Sequence, residues 1–254
     1  MSGAVPDRDD PGEATDADRR ADDAVRAEGR RTIEGLDRAL ADGEVSEADW
    51  YVGARTVLEA SYLATDDPYL QSGMRADATR WERGRRPIVA AVDRDGTFLD
   101  VGCANGLLMA STVAWATEAR HRLEPYGLDH SPALADLARR RLPQWADRIF
   151  AGNVIDWRPP FRFDFVRTEL EYVPPVRQPA LVGRLLRKVV APGGRLIVCA
   201  YGSSRPDGPR AEPISNRLRG WGFAVAGEAD GADDNGVVFV RVAWLDAPPD
   251  RSLP

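Results

Sequence analysis

An α/β fold built on a doubly wound, mostly parallel sheet is predicted by three observations. The first is the run Phe98-Leu99-Asp100-Val101-Gly102-Cys103-Ala104-Asn105-Gly106, a strand of buried type that stops at an acid and enters a glycine-bearing turn. The second is Pro125-Tyr126-Gly127-Leu128-Asp129-His130, another short strand ending in an acid, roughly 20 residues past the glycine turn, the distance at which nucleotide folds place a ribose-binding carboxylate. The third is alternation. Strand-like runs at 149–153, 163–167 and 191–200 are separated by helical or loop segments, the pattern that predicts parallel strands joined by crossovers.

The elements follow in order. Residues 1–30 are acidic, alanine-rich and poor in large apolar side chains, a composition read as a disordered tail. Ile33, Leu36 and Leu40 recur at helical spacing up to Gly43, and Ser46-Glu47-Ala48-Asp49 has the form of a helix start before Trp50, Tyr51, Val57 and Leu58. Residues 31–79 are therefore expected to form an N-terminal helical extension, and residues 80–247 the sheet domain. Leu107, Leu108, Val113 and Ala114 mark a helix directly after the glycine turn, and Ser131-Pro132 opens the next one, proline being well placed in a first turn. Ile214, Leu218 and Trp221 suggest a late helix. Closing strands are read at 223–226 and 237–242 across an Asp/Gly-rich connection, with 248–254 a short tail.

At 254 residues the chain can bury a sizeable core as one α/β domain with additions. A formal net charge of -6 argues against a broad nucleic-acid surface. Lys188 is the only lysine, and arginine is a poor proton carrier, so lysine chemistry is not expected. Cys103 and Cys199 give neither a disulfide framework nor metal spacing, which fits a reducing compartment and no metal site. No apolar run has spanning length and Met1 begins no signal pattern, so a soluble, cytoplasmic protein is expected, with no membrane partner.

The glycine turn permits several ligands. A dinucleotide fingerprint needs a third glycine so that pyrophosphate can rest on the helix N-terminus, whereas here alanine holds the middle small position and an acid precedes the first glycine. That acid suits an amine better than a phosphate. A tight strand-to-helix turn with no ligand is the plain alternative.

With the Asp-Val-Gly-Cys-Ala-Asn-Gly loop, the Gly-Leu-Asp-His-Ser segment and the leucine-rich helix running into Ala-Pro-Gly-Gly-Arg-Leu-Ile-Val, the chain resembles the class I S-adenosylmethionine-dependent methyltransferases over about residues 80–245. The resemblance implies a Rossmann-like sheet of seven strands whose last two form an antiparallel pair, with the N-terminal helices serving as a lid over the acceptor or as a buttress. It implies S-adenosylmethionine as cofactor and S-adenosylhomocysteine as product. Asp100, Gly102, Ala104 and Gly106 would then lie at the methionine and ribose end of the cofactor, and Asp129 at the ribose diol. His130 and Ser131 would neighbour the adenine. The acid common after the third strand matches Asn153 here, whose amide oxygen can still accept from an adenine amino group. Val154 would offer its backbone N–H, Asp156 competes with Asn153 for the role, and Trp157 either walls the purine or packs in the core.

Methyl transfer from a sulfonium needs alignment and dryness more than proton transfer. Glu169 and Glu171 follow the fourth strand and, if the chain stays extended there, face one side by the two-residue period. They are candidate catalytic carboxylates that would orient an amine or hydroxyl or take its proton; the alternative for Glu171 is a surface role, pairing Arg177 or capping the following helix. The resulting expectation is a methyltransferase acting on O or N of a small molecule, a specialised metabolite or an amine, as a monomer or homodimer. One rival is an RNA or protein methyltransferase, which requires Arg80, Arg83, Arg85 and Arg86 to form one basic face. Another is a noncatalytic binding protein that keeps the fold.

Overall fold

The computed structural model describes residues 16–72, 77–205 and 208–249, and the chain divides into two compact units, 1–66 and 67–254. The first unit is a helical hairpin of α1 (Asp16–Ala41) and α2 (Glu47–Tyr62). Gly43 takes a left-handed φ of +74° just past the end of α1. The start of α2 is a capping box: the Asp49 N–H donates to the Ser46 hydroxyl while the Ser46 N–H donates to the Asp49 carboxylate. Trp50 closes the hairpin by donating its indole N–H to Asp37 at 2.9 Å.

Two boundaries differ from the sequence reading. Residues 16–30, expected within a disordered tail, form the first part of α1; residues 1–15 lie outside the described residues. The physical reason is intrinsic propensity: Ala, Arg and Glu are among the best helix formers, so the helix that holds Ile33 runs back to Asp16 with no apolar stripe in the sequence to announce it. The second difference is that residues 67–79 belong with the larger unit rather than with the helical extension. Tyr69 is buried in the same core cluster as Trp81 on α3 (Ala78–Arg85), edge to face at 6.1 Å.

The larger unit holds a seven-stranded sheet of β1 (Gly96–Val101), β2 (Leu123–Asp129), β3 (Ile149–Ala151), β4 (Phe163–Glu169), β5 (Val190–Tyr201), β6 (Gly227–Ala232) and β7 (Val238–Asp246). Their order is β3-β2-β1-β4-β5-β7-β6. The first five strands pair in parallel and β7 inserts antiparallel between β5 and β6, which is the expected Rossmann-like arrangement. The helices α4 (Leu107–Glu118), α5 (Pro132–Arg141), α6 (Gln178–Lys188) and α7 (Ile214–Gly220) connect the strands. Because strand order reverses between β1 and β4, right-handed crossovers place α4 and α5 on one face of the sheet and α6 on the other. One face carries Phe98, Phe165 and Ile197 against Leu107, Trp115, Trp81 and Ile88. Among the described residues no helix is long and apolar enough to cross a membrane.

The sixth strand is displaced from its expected place. Residues 223–226 are irregular, and β6 is built from the Asp/Gly-rich stretch read as a connection. Its glycines have a packing role that outweighs their poor strand propensity: a Cβ at Gly227 would lie 2.1 Å from the Trp244 ring, and one at Gly231 only 2.4 Å from the Arg83 carbonyl oxygen. Asp230 and Glu228 on this edge strand pair with Arg241 and Arg219.

Phe165 joins the central strand to the face that carries the core. Phe165→Ala is expected to lower unfolding free energy by about 3–5 kcal/mol through lost burial and a residual cavity, read from the urea midpoint at unchanged denaturant slope.

Candidate functional site

The glycine loop is shaped by three positive φ angles: Gly102 at +75°, Ala104 at +46° and Gly106 at +77°. Gly106 caps α4 through its backbone alone, while Asn105 accepts the Leu107 N–H at 3.0 Å and donates its side-chain N–H to the Pro68 carbonyl at 2.7 Å. The turn is anchored to β2 because Gly102 and Cys103 both donate to the Leu128 carbonyl. Ala104 is the strained member, since a left-handed φ is uncommon for a residue with a Cβ.

Asp129, at the end of β2, ties this loop to the next. One carboxylate oxygen accepts from the Ala104 N–H at 2.8 Å and the other from the Ser131 N–H at 2.8 Å. Ser131 in turn caps α5 by accepting from the Leu134 N–H. His130 is half-buried between them. The structure thus brings Asp100, Gly102, Ala104, Gly106 and Asp129 to one edge of the sheet.

Beyond β3 the chain turns at Asn153, whose side-chain oxygen accepts from the Ile155 N–H at 3.1 Å. The Val154 carbonyl accepts from Arg184, while its N–H has no acceptor among the described residues. Asp156 is exposed. Trp157 lies tilted on Phe150 at 5.3 Å and stacked near Phe163 at 6.4 Å, an aromatic packing position.

At the carboxyl end of β4 the two candidate carboxylates part company. The chain does not stay extended: residues Leu170–Tyr172 form a 3-10 turn, so Glu169 is turned inward at 17% side-chain exposure while Glu171 is exposed. Glu169 accepts from the Arg167 guanidinium and, at 2.9 Å, from the Tyr172 hydroxyl. Arg167 is 1% exposed and also donates to Asp100 at 3.3 Å, to the Tyr172 hydroxyl at 2.9 Å and to the Tyr201 hydroxyl at 3.2 Å. Tyr172 in turn stands over the loop, because a Cβ at Gly102 would lie 2.4 Å from its Cζ.

Burial raises the Asp100 carboxyl to about 6, against the pull of the Arg167 and Arg85 guanidiniums. Burial pushes the Glu169 carboxyl up as well, but Arg167, Arg85 and the Tyr172 hydroxyl together hold it below its ordinary value. Glu169 is therefore an engaged anion and a weak proton acceptor. Asp100 keeps one carboxylate oxygen, Oδ2, buried without a donor.

Arg167, Arg85, Tyr172 and Tyr201 are the members of this cluster that the sequence reading passed over as site residues. Arg167 carried a signal: a cation two residues from Glu169 on the same strand shares its face by the two-residue period. Nothing in the sequence joined Arg85 or Tyr201 to them. Among the described residues no group of three metal-ligating side chains comes together.

This strand order is the fold of solved methyltransferase structures. Solved structures of that fold superpose on the chain. The N-methyltransferase NodS from Bradyrhizobium japonicum WM9, in complex with S-adenosyl-L-homocysteine, matches with a TM-score of 0.57 at 17% identity, over 76% of this chain and 98% of NodS. The 1,6-didemethyltoxoflavin-N1-methyltransferase of Burkholderia thailandensis, with its namesake ligand and S-adenosylhomocysteine, gives 0.55 at 19%, over 80% and 91%. The mitomycin 7-O-methyltransferase MmcR gives 0.56 at 21%, over 92% and 74%. At these identities the likeness is one of fold. No family model matches the sequence, and no curated protein sequence matches it.

Asp100 holds a proton more tightly in the folded state than in the unfolded chain, so its contribution to stability is present at low pH and is lost as pH rises from about 4 to about 6. Asp100→Asn should therefore gain on the wild type across that window, by an amount on the order of 2–3 kcal/mol, measured as the difference between their denaturation midpoints at pH 4 and pH 7.

Proposed function

We propose that this chain transfers a methyl group from S-adenosylmethionine to an oxygen or nitrogen of a small molecule. The observation that carries the reading is the junction of the two edge carboxylates with the positive-φ loop, where Asp129 accepts from the Ala104 N–H. The residues fit the cofactor chemically. Asp100 offers a buried carboxylate oxygen lacking a donor, which suits an amino group. Asp129 offers acceptors to ribose hydroxyls, with His130 and Ser131 beside the adenine. Asn153 and the Val154 N–H supply the purine edge. When bound, the cofactor supplies an electrophilic methyl on a sulfonium that leaves as a neutral thioether.

The chain's own part is alignment. Glu169, fixed by Arg167 and Tyr172, is a positioning carboxylate for the acceptor, and Glu171 on the exposed turn is the second candidate. Binding and in-line orientation can supply most of the acceleration without a base.

A small acceptor is favoured over RNA because the four arginines that would have made a basic face do not present one. Arg83 pairs with Asp234 at 2.7 Å, and Arg86 with Glu82 and Glu118. Arg80 donates to Ser204 and lies over the Phe239 ring, while Arg85 is buried. The neighbours NodS, the toxoflavin enzyme and MmcR, all named as N- or O-methyltransferases, support the same reading. A monomer or homodimer, distinguished by sedimentation, remains part of the proposal.

Calorimetry with S-adenosylhomocysteine tests the cofactor. Asp129→Ala should weaken binding by about 2–4 kcal/mol, with the melting temperature followed in parallel because the same change frees two backbone N–H groups. Unchanged affinity would sink the assignment.

The chemistry is tested by Glu169→Gln and Glu171→Gln, with methyl transfer to candidate acceptors followed by mass shift. Positioning by Glu169 predicts a raised acceptor KM, a kcat within about tenfold of wild type and an unshifted acid limb of the pH profile. A loss of about 100-fold or more in kcat with that limb abolished is the signature of a general base and would overturn the positioning role.

A further inference from the structure

We propose that Arg85 docks a carboxylate carried by the methyl acceptor, which narrows the substrate class to acidic small molecules and rests on the methyltransferase reading above. Arg85 is the last residue of α3 and only 6% exposed. Its guanidinium lies 3.5 Å over the Tyr201 ring and 5.2 Å from the Trp81 ring, so aromatic faces hold it in place. Its hydrogen-bonding capacity is nevertheless unspent: Nε and Nη1 are both buried with no acceptor among the described residues.

The nearest carboxylate does not meet that demand. Glu169 Oε1 is 4.0 Å from Nη1, beyond hydrogen-bond distance, and the same oxygen already takes the Arg167 guanidinium and the Tyr172 hydroxyl. Asp100 belongs to Arg167. Two buried guanidiniums thus share carboxylates that are committed to one of them, and a buried charge without a hydrogen-bonded counter-ion is costly. A further anion would complete the set.

Position and chemistry select the kind of anion. Glu169 and Tyr201, which flank Arg85, are the last residues of β4 and β5, at the carboxyl edge where open α/β sheets bind ligands. The planar guanidinium matches a carboxylate. A singly charged group is favoured over a phosphate dianion because Glu169 is already close by. The Tyr201 and Trp81 rings add an apolar setting suited to an aryl or alkyl acid.

The test uses the full chain with and without saturating S-adenosylhomocysteine, and benzoate against benzamide and acetate against acetamide as probes, followed by ligand-observed NMR titration. At least one acid is expected to bind about tenfold or more tightly than its amide. Arg85→Gln should erase that preference while leaving amide binding and S-adenosylhomocysteine affinity within about twofold, and Arg85→Lys should restore part of it. Absence of any acid-over-amide preference in the wild type, including no binding of either, overturns the proposal, and this comparison needs no variant to fold. Preference that survives in Arg85→Gln also overturns it. So does a tenfold or larger loss of S-adenosylhomocysteine affinity in Arg85→Gln with binding of 5′-methylthioadenosine unchanged, because that places the carboxylate on the cofactor. Failure of the wild type to bind S-adenosylhomocysteine strikes the methyltransferase reading instead, and the arm without it still reports on Arg85.

Discussion

The arrangement of the sheet edge depends on Arg167. Its guanidinium reaches from the middle strand to Asp100 on β1, to Glu169 at the end of its own strand, to Tyr172 in the turn beyond and to Tyr201 at the end of β5. A buried ion set of this kind is poor at adding stability, since desolvation offsets most of the attraction and an apolar replacement of equal volume is often as stable. What it does supply is direction. Each partner has one orientation that satisfies the guanidinium, so three strand ends and one turn are fixed relative to one another at the carboxyl edge of the sheet.

That orientation reaches the glycine loop through Tyr172. Arg167 and Glu169 both bond its hydroxyl, and the held ring closes on Gly102, where a Cβ could not fit. Gly102 is thus constrained twice, by its left-handed φ and by the ring above it. On the other side of the loop Asp129 works by a different principle: its oxygens accept backbone N–H groups from two successive edge loops, so it organises the site by hydrogen bonding where Asp100 does so through charge. The same residue type serves one sheet edge in two ways, since one carboxylate meets a guanidinium and the other meets backbone amides.

Much of this was legible in the sequence because it is written locally. A strand running into Asp100, a glycine where φ must be positive, a second strand ending at Asp129 and a Ser-Pro helix start each follow from residues adjacent in the chain. The capping box at Ser46 is local in the same sense. What sequence reasoning missed depends on contacts between distant segments. The glycines of β6 read as a loop because the Trp244 ring and the Arg83 carbonyl that require them are remote in sequence. Glu169 and Glu171 looked like a pair because a 3-10 turn is not distinguishable from an extended run in Glu-Leu-Glu-Tyr. The helical stretch from Asp16 was hidden for the opposite reason, its composition lacking the apolar stripe by which helices are found while keeping the propensity that forms them.

The electrostatics of the β4 edge bear on which acceptors the proposed reaction could use. Glu169 is an anion held by Arg167 and Arg85, and burial moves the Tyr172 phenol away from neutral pH. Neither group is matched to collecting a proton at pH 7, where an efficient base has a pKa near the operating pH. A nucleophile that must lose a proton as it takes the methyl would then have to supply its own acidity, as an enol or an activated phenol does, or arrive as a neutral amine and release the proton afterward to water. An acidic substituent that anchors at Arg85 would serve such an acceptor doubly, offsetting the cost of desolvating the guanidinium and fixing the distance between its nucleophilic atom and the methyl. Alignment then falls to the charges of the site, and proton loss to the substrate.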